Sequence, residues 1–300
     1  MYEVKAKPRD RPKFHAGVVQ HRARQRPYLE GGLRNAIEQH GLILHYQPQF
    51  EVLSGRACGV EALARWFRSD GERVPPSIFI PLAERSGLIG ALGAWVLEEA
   101  CSAVAGWDDP SGRSVTLCVN VSSHQICTDF CGLIARVIDL TGFPAQRLEL
   151  ELTESALIAD AGLVRECMTH WKALGVQIAL DDFGTGYSSL SYLSKLPVDR
   201  LKLDKSLVQG MTTEPKDAAI VRAMILLGEE LGFVVIAEGV ETEEQFEMLQ
   251  AMDCKQVQGH LLATSTSAEE ARALLLVRWG SRPTTTPGTP GSAAARFQPH

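Results

Sequence analysis

The sequence lacks the short motifs that identify several large enzyme classes. Its eight histidines show no H-x-H or H-E-x-x-H spacing, and none of its seven cysteines forms a C-x-x-C pair. A metal centre built on these residues is therefore not indicated. A Walker A loop and a G-x-S-x-G motif are also missing, which argues against P-loop and serine-hydrolase chemistry.

Long uninterrupted apolar runs are also missing. The most apolar stretch, residues 87–107, contains Glu98 and Glu99 and has the pattern of a half-buried helix rather than of a membrane span. The N-terminus is polar and basic, unlike a signal peptide. An odd number of cysteines within apolar surroundings is typical of free thiols in a reducing compartment. We therefore expect a cytoplasmic segment without membrane contact, although a longer parent protein with a membrane anchor remains compatible with it.

Negative charge exceeds positive charge outside the N-terminus. The net charge is −6, but residues 1–30 carry +5 and the remainder carries −11. An acidic body of this kind is a poor partner for long nucleic acid. It remains suited to a small phosphate ligand if metal ions bridge the negative charges.

Eight short apolar segments have the length and composition of strands, and helix-like stretches such as 78–106, 161–174, 216–231 and 243–252 separate most of them. The segments are 42–50, 57–66, 115–122, 147–153, 176–183, 200–205, 234–240 and 255–261. This alternation predicts an α/β fold, a (β/α)₈ TIM barrel of the usual size, with a doubly wound open sheet as the alternative. The six-residue loop between the first two strands is too short for a crossover helix. We therefore expect a modified barrel with one antiparallel strand near the start.

The two ends differ in composition from the barrel. Residues 1–27 are basic and contain proline, which indicates a linker or the tail of an upstream domain. Residues 279–300 are rich in Pro, Thr, Gly, Ser and Ala, which is typical of a disordered tail. The barrel itself is predicted over residues 28–278.

Acidic and amide side chains repeatedly occupy the predicted strands or their ends. They are Glu61, Asn120, Glu151, Asp181, Asp182, Glu238 and Gln258, together with the basic Lys202. In a barrel the carboxyl ends of the strands meet at one face, so these groups should converge. A single glutamate there is usually a cap or a surface charge, but this many together would repel each other without a cation. Oxygen ligands favour Mg²⁺ or Mn²⁺, and the adjacent aspartates allow two ions.

The same residues belong to motifs that resemble the EAL-domain cyclic-di-GMP phosphodiesterases. The matching segments are Glu61-Ala62-Leu63, Tyr46-Gln47-Pro48, Phe79 to Glu84, Asn120-Val121-Ser122, Glu151 to Ser155, Asp181 to Gly186, Leu201 to Asp204, Ala237 to Thr242 and Gln258-Gly259. The resemblance covers about residues 28–278. It implies a modified TIM barrel that hydrolyses cyclic-di-GMP to linear pGpG.

The resemblance also implies roles for individual residues. Glu61, Asn120, Glu151 and Asp181 correspond to ligands of one metal, and Asp181 and Asp182 to ligands of a second. Lys202 corresponds to a contact of the attacking water or phosphate, and Glu238 to a second-metal ligand or a general base. Glu154 corresponds to the anchor of the Asp182–Gly186 loop. The positions that correspond to substrate binding are Gln47, Arg65, Asp204, Glu241 and Gln258.

Four expectations stay open at this point. The segment His260-Leu261-Leu262-Ala263-Thr264-Ser265-Thr266 departs from the aromatic and Phe-Ser-Arg/Lys-Pro pattern of the family, which puts substrate affinity in doubt. The alternatives to an active enzyme are a catalytically weak or inactive EAL barrel that acts as a cyclic-di-GMP receptor, and an interaction scaffold. Residues 1–5 resemble the end of a GGDEF domain, and members of the family commonly form homodimers.

Overall fold

A computed structural model describes residues 27–39, 41–68, 70–107, 112, 114–159, 161–184, 193, 195–276 and 278–279. Nine strands in these ranges form one sheet. They are β1 Leu42–Glu51, β2 Ala57–Phe67, β3 Arg73–Val74, β4 Thr116–Val121, β5 Leu148–Thr153, β6 Gln177–Phe183, β7 Arg200–Leu203, β8 Val234–Ala237 and β9 Gln256–Val257.

Eight of the strands close into a barrel, because the sheet runs in the order β1-β9-β8-β7-β6-β5-β4-β2 and β1 also pairs with β2. β1 is antiparallel to both of its neighbours, β2 and β9. The remaining neighbours in the ring are parallel, namely β2–β4, β4–β5, β5–β6, β6–β7, β7–β8 and β8–β9. β3 lies outside the ring and pairs antiparallel with β2. The modified barrel with an antiparallel strand near the start is confirmed, and the open-sheet alternative is wrong.

Helices connect most of the parallel strands. They are α1 27–38, α2 Pro76–Ser86, α3 Ile89–Val104, α4 Thr128–Thr141, α5 Ala156–Ala159, α6 Ala161–Ala173, α7 Lys205–Gly210, α8 Pro215–Leu231, α9 Glu243–Ala251 and α10 Ala268–Leu274. Within the described ranges, none of these helices combines the length and hydropathy that a membrane crossing requires.

One helix prediction is wrong in extent. The apolar pattern of 78–106 predicts a single helix, whereas α2 and α3 are separate and meet at Gly87. Gly87 has a φ of 73°, in the left-handed region, and its N–H bonds to the carbonyls of Ala83 and Glu84. Such a glycine ends a helix, although the apolar periodicity continues across it. β3 was also missed, because its sequence Arg73-Val74 lies outside the apolar segments from which strands were predicted.

The predictions made for residues 1–27 and 279–300 fall almost entirely outside the described residues and stay predictions. The same holds for most of the glycine loop, since residues 185–192 are not among those described.

β5 shows how the sequence places charge inside the barrel. Its sequence LELELT alternates, and the leucines and glutamates are all buried. Leu148, Leu150 and Leu152 belong to the apolar core. On the opposite face, Glu149 and Glu151 form ion pairs with Arg200 and Lys202 of β7. Because β6 lies between β5 and β7, these pairs meet across the barrel interior, where alternate strands share a layer.

Candidate active site

Lys202 lies at the centre of the predicted acidic cluster. Its Nζ atom is 2.7 Å from Oε1 of Glu238 and 2.8 Å from Oε2 of Glu151. It is also 3.5 Å from Oδ1 of Asp181 and 3.8 Å from Oε2 of Glu61. These residues come from four other places in the chain: β2, β5, β6 and the end of β8. The predicted convergence of these side chains on one rim is therefore present.

The burial of this cluster controls its protonation. Burial by itself lowers the pKa of Lys202, but Glu151, Glu238, Glu61 and Asp181 raise it well above the usual lysine value. Burial raises the pKa of Glu151 well above its usual value and that of Glu238 to about 8. Of these carboxylates, Glu151 and Glu238 are therefore the two that burial shifts toward their protonated forms in the metal-free protein.

Glu61 is the carboxylate that this environment keeps ionised. Nδ2 of Asn120 donates to its Oε1 at 2.7 Å, and Nε2 of Gln258 donates to its Oε2 at 2.7 Å. Burial opposes ionisation, but the charge of Lys202 and the two amide donors hold the pKa of Glu61 below its usual value. Both oxygens of this side chain therefore have fixed directions.

Asp181 and Asp182 lie within β6, at a constrained turn of the backbone where the pairing with β7 is irregular. Asp182 has a φ of 54°, a left-handed conformation that is uncommon for a residue other than glycine. Its N–H donates to Oδ1 of Asp181 at 2.9 Å. Burial, followed by the charges of Asp181 and Asp204, raises the pKa of Asp182. The turn therefore holds two carboxylates side by side at the rim, and such backbone strain is common at functional sites.

Glu154 connects the ends of β5 and β6. Its N–H donates to the carbonyl of Asp181 at 3.1 Å, and its Oε2 accepts from the N–H of Gly184 at 3.4 Å. The side chain is only 4% exposed. The structure thus brings Glu154 to the start of the glycine loop, and the anchoring role itself stays a prediction.

Four of the five predicted substrate-binding residues, all except Asp204, border two cavities that share Leu63. Gln47, Glu241 and Gln258 line a cavity of about 220 Å³ together with Glu61 and Glu238. Arg65 and Asn120 line a neighbouring cavity of about 460 Å³.

Two of these side chains are held by the segment where the sequence departs from the family. Nε2 of Gln47 donates to the carbonyl of Ala263 at 3.2 Å, and Arg65 donates to Oγ of Ser265 at 2.8 Å. Asp204 has a different kind of contact from Gln47 and Arg65. Its side chain caps α7 by accepting a hydrogen bond from the N–H of Ser206.

The donor set fits a hard divalent cation. Oε1 of Glu151 is buried and has no hydrogen-bond partner in the described part of the chain. A cation at the rim would give this oxygen a partner, and carboxylate and amide oxygens suit Mg²⁺ or Mn²⁺. A second group of possible metal ligands consists of Cys118, Glu149 and Glu151, whose ligand atoms lie within 4.8 Å of one another. There Nε of Arg200 already lies 3.1 Å from Glu149, so an ion pair balances that carboxylate.

Sequence reasoning missed a second polar layer beneath the rim. Glu149 and Arg200 form its ion pair, and the thiol of Cys118 lies 3.3 Å from Oε1 of Glu149. Gln49 of β1 is fully buried in the same layer. The alternation of β5 was the available signal for Glu149, whereas no periodic signal distinguished Gln49.

Comparison with known proteins places this geometry in a family. The EAL domain family model matches residues 30–265. The chain is 40% identical over 297 residues to an uncharacterized signaling protein of Caulobacter vibrioides, covering 99% of this chain and 35% of that protein. It is 38% identical over 276 residues to the bifunctional diguanylate cyclase/cyclic di-GMP phosphodiesterase MucR of Pseudomonas aeruginosa, covering 91% of this chain and 40% of MucR. The chain thus spans less than half the length of both relatives.

A solved structure shows the same fold with a ligand. The PaMucR phosphodiesterase in complex with c-di-GMP matches with a TM-score of 0.77 and 39% identity. The match covers 81% of this chain and 99% of that chain.

Proposed function

This chain belongs to the EAL domain family, and we propose that it is a metal-dependent phosphodiesterase that hydrolyses cyclic-di-GMP to linear pGpG. The observation that carries the proposal is the convergence of Glu61, Glu151, Asp181 and Glu238 around Lys202 at one rim of the barrel. A purely structural ion pair needs one carboxylate for one ammonium, whereas this rim has four.

Two Mg²⁺ or Mn²⁺ ions fit the proposal. Glu61, Asn120, Glu151 and Asp181 would hold one ion, and Asp181 and Asp182 would hold the other. When bound, such ions lower the pKa of a coordinated water and neutralise phosphate charge. The buried Oε1 of Glu151, which has no hydrogen-bond partner among the described residues, supports this use of the site.

Lys202 and Glu238 then act on the reacting groups. The ammonium of Lys202 stays charged and stabilises the negative charge that develops on the phosphate oxygens. Glu238 has a pKa raised to about 8, so its carboxyl group changes protonation near neutral pH. A group of this kind is suited to accept a proton from the attacking water. The contact of 2.7 Å between Nζ and Oε1 keeps the two side chains aligned.

Substrate contacts come from the cavity walls and from Asp204 at the start of α7. Arg65 donates to phosphate oxygen, while Gln47, Asp204, Glu241 and Gln258 orient the remainder of the ligand. Arg65 is suited to this role because its planar guanidinium presents several donors to a phosphate group. Its contact with Ser265 leaves further N–H groups for the ligand.

A receptor that binds cyclic-di-GMP without hydrolysis is the second candidate. The observation that favours it is that Gln47 and Arg65 are tied to Ala263 and Ser265. These two positions belong to the segment that departs from the family pattern.

The test is hydrolysis by the full chain. We expect incubation with cyclic-di-GMP and Mn²⁺ to yield pGpG by chromatography, and a chelator to abolish the product. Groups that only orient a metal ligand typically contribute about 10- to 100-fold to activity. Glu61→Gln removes a proposed ligand itself, so its loss of activity should be larger than that. The exposed Glu98→Gln is the matched control and should retain full activity. Binding of cyclic-di-GMP without any pGpG would establish the receptor instead.

A further inference from the structure

Gln49 is a fully buried amide that no motif of the site includes. It lies on β1, opposite Gly59 of β2. Its Nε2 donates to Oε1 of Gln258 at 3.0 Å. Its Oε1 lies 3.5 Å from the thiol of Cys118, whose single S–H is closer to Oε1 of Glu149 at 3.3 Å. The bond from Nε2 to Gln258 is therefore the contact that fixes the orientation of the Gln49 amide.

The contacts continue from Gln258 to the acidic cluster. Nε2 of Gln258 donates to Oε2 of Glu61 at 2.7 Å. Gln49, Gln258 and Glu61 therefore form one chain of hydrogen bonds that begins inside the barrel and ends on a predicted metal ligand.

This series of hydrogen bonds has only one consistent direction from donor to acceptor. An ionised carboxylate only accepts hydrogen bonds, so Gln258 must turn its nitrogen toward Glu61. Its oxygen then faces Gln49, which must present a nitrogen in turn. If Gln49 gave no donor, the Gln258 amide would lose the contact that selects this orientation. In the opposite orientation, the Gln258 oxygen would face Oε2 of Glu61 at hydrogen-bond distance and repel it.

The backbone provides the space for this arrangement. A Cβ atom at position 59 would lie 2.6 Å from Oε1 of Gln49, which is shorter than any normal contact. Glycine at position 59 therefore permits the buried amide on the neighbouring strand.

We propose that Gln49 is a positioning residue that fixes the Gln258 amide and, through it, the direction of Glu61 toward a divalent cation. The inference deepens the proposed function and rests on it in one respect, namely that Glu61 is a metal ligand. Groups that orient a metal ligand typically contribute about 10- to 100-fold to metal affinity or activity.

The first test is Gln49→Met, which keeps the size of the side chain and removes the donor. In the full chain, we expect Mn²⁺ affinity to fall by about 10-fold or more, and kcat to fall more than KM. The matched control is Gln245→Met, another buried glutamine, which caps α9 and lies outside the chain of contacts. The control should lower the melting temperature and leave Mn²⁺ affinity unchanged.

Gln49→Glu supplies a rescue that a structural role alone would not produce. A protonated glutamic acid retains an O–H donor, whereas the ionised form only accepts. The Mn²⁺ affinity of Gln49→Glu, divided by that of the wild type at the same pH, should therefore rise as the pH falls. The same ratio for Gln49→Met should stay constant.

The outcomes separate the two proposals. Wild-type affinity for Mn²⁺ in Gln49→Met, or a loss that the Gln245→Met control reproduces, overturns the positioning role. If the wild-type protein binds Mn²⁺ but forms no pGpG, the proposed catalysis is contradicted. The comparison of Mn²⁺ affinity between Gln49→Met and the wild type then still tests the role of Gln49. Absence of Mn²⁺ binding by the wild type overturns both.

Discussion

The ammonium of Lys202 lies 2.8 Å from Oε2 of Glu151, and at most 1% of either side chain is exposed. Both charges are therefore removed from water, where an ion pair depends on its geometry and on further partners. Three other carboxylates surround the same ammonium within 3.8 Å. Lys202 is thus a structural counter-ion as well as a candidate catalytic group, and the two roles predict different measurements.

Lys202→Met should destabilise the metal-free protein. Removal of one partner of a buried ion pair typically costs about 3–5 kcal/mol of unfolding free energy, because the other charge remains buried and unpaired. Urea unfolding in a chelator should show this loss, and added Mn²⁺ should recover part of it. Equal stability of Lys202→Met and wild type in chelator would contradict the structural role. Replacement of the exposed Lys216 by Met serves as the control.

Metal affinity should fall as the pH falls below about 8. Burial raises the pKa of Glu238 to about 8 and also raises that of Glu151. Both groups hold protons below their raised pKa values. Glu151 is a proposed ligand and must be deprotonated to bind a cation, and a cation close to Glu238 favours the ionised form of that carboxyl group. Binding of Mn²⁺ should therefore release protons near neutral pH, which calorimetry in buffers of different ionisation enthalpy measures. Glu238→Gln should release fewer protons, and an enthalpy independent of the buffer would refute the linkage.

Glu154→Ala should weaken metal binding although the side chain is not a predicted ligand. Its Oε2 accepts from the N–H of Gly184, two residues after Asp182. Loss of this contact frees the turn that holds the paired aspartates, so we expect about 10-fold weaker Mn²⁺ binding. Titration with Mn²⁺ detected by electron paramagnetic resonance measures the change. The exposed Glu166→Ala is the control, and an effect of equal size in both variants would exclude the anchor role.

Gly259→Ala should be strongly destabilising. A Cβ atom at this position would lie 2.1 Å from the carbonyl oxygen of Val240 and 2.3 Å from its nitrogen. Backbone atoms cannot rotate away, so overpacking should cost about 3 kcal/mol or more. At Gly90 in α3 a Cβ would meet nothing within 4 Å, and alanine there should be neutral or stabilising by up to about 1 kcal/mol. Urea unfolding of both variants checks the contrast, which similar stabilities would contradict.

The local sequence was sufficient for the barrel and for the membership of its acidic rim. Each of the eight strands of the ring carries its own apolar signal, and the short loop after β1 left no room for a crossover, so the antiparallel strand followed from loop length alone. Parallel strands of a barrel end at the same face, so a residue's position in its strand predicts its place in the barrel. This rule was enough to identify Glu61, Glu151, Asp181 and Glu238.

Tertiary structure alone decided which side chains meet and in which orientation. Lys202 contacts carboxylates from four distant segments, and Gln49 contacts Gln258 across 209 residues of chain. The break at Gly87 likewise depended on a backbone conformation that the apolar periodicity did not reveal. Sequence patterns report the period and the end of each element, whereas side-chain partners depend on how the closed ring aligns strands that are far apart in the chain.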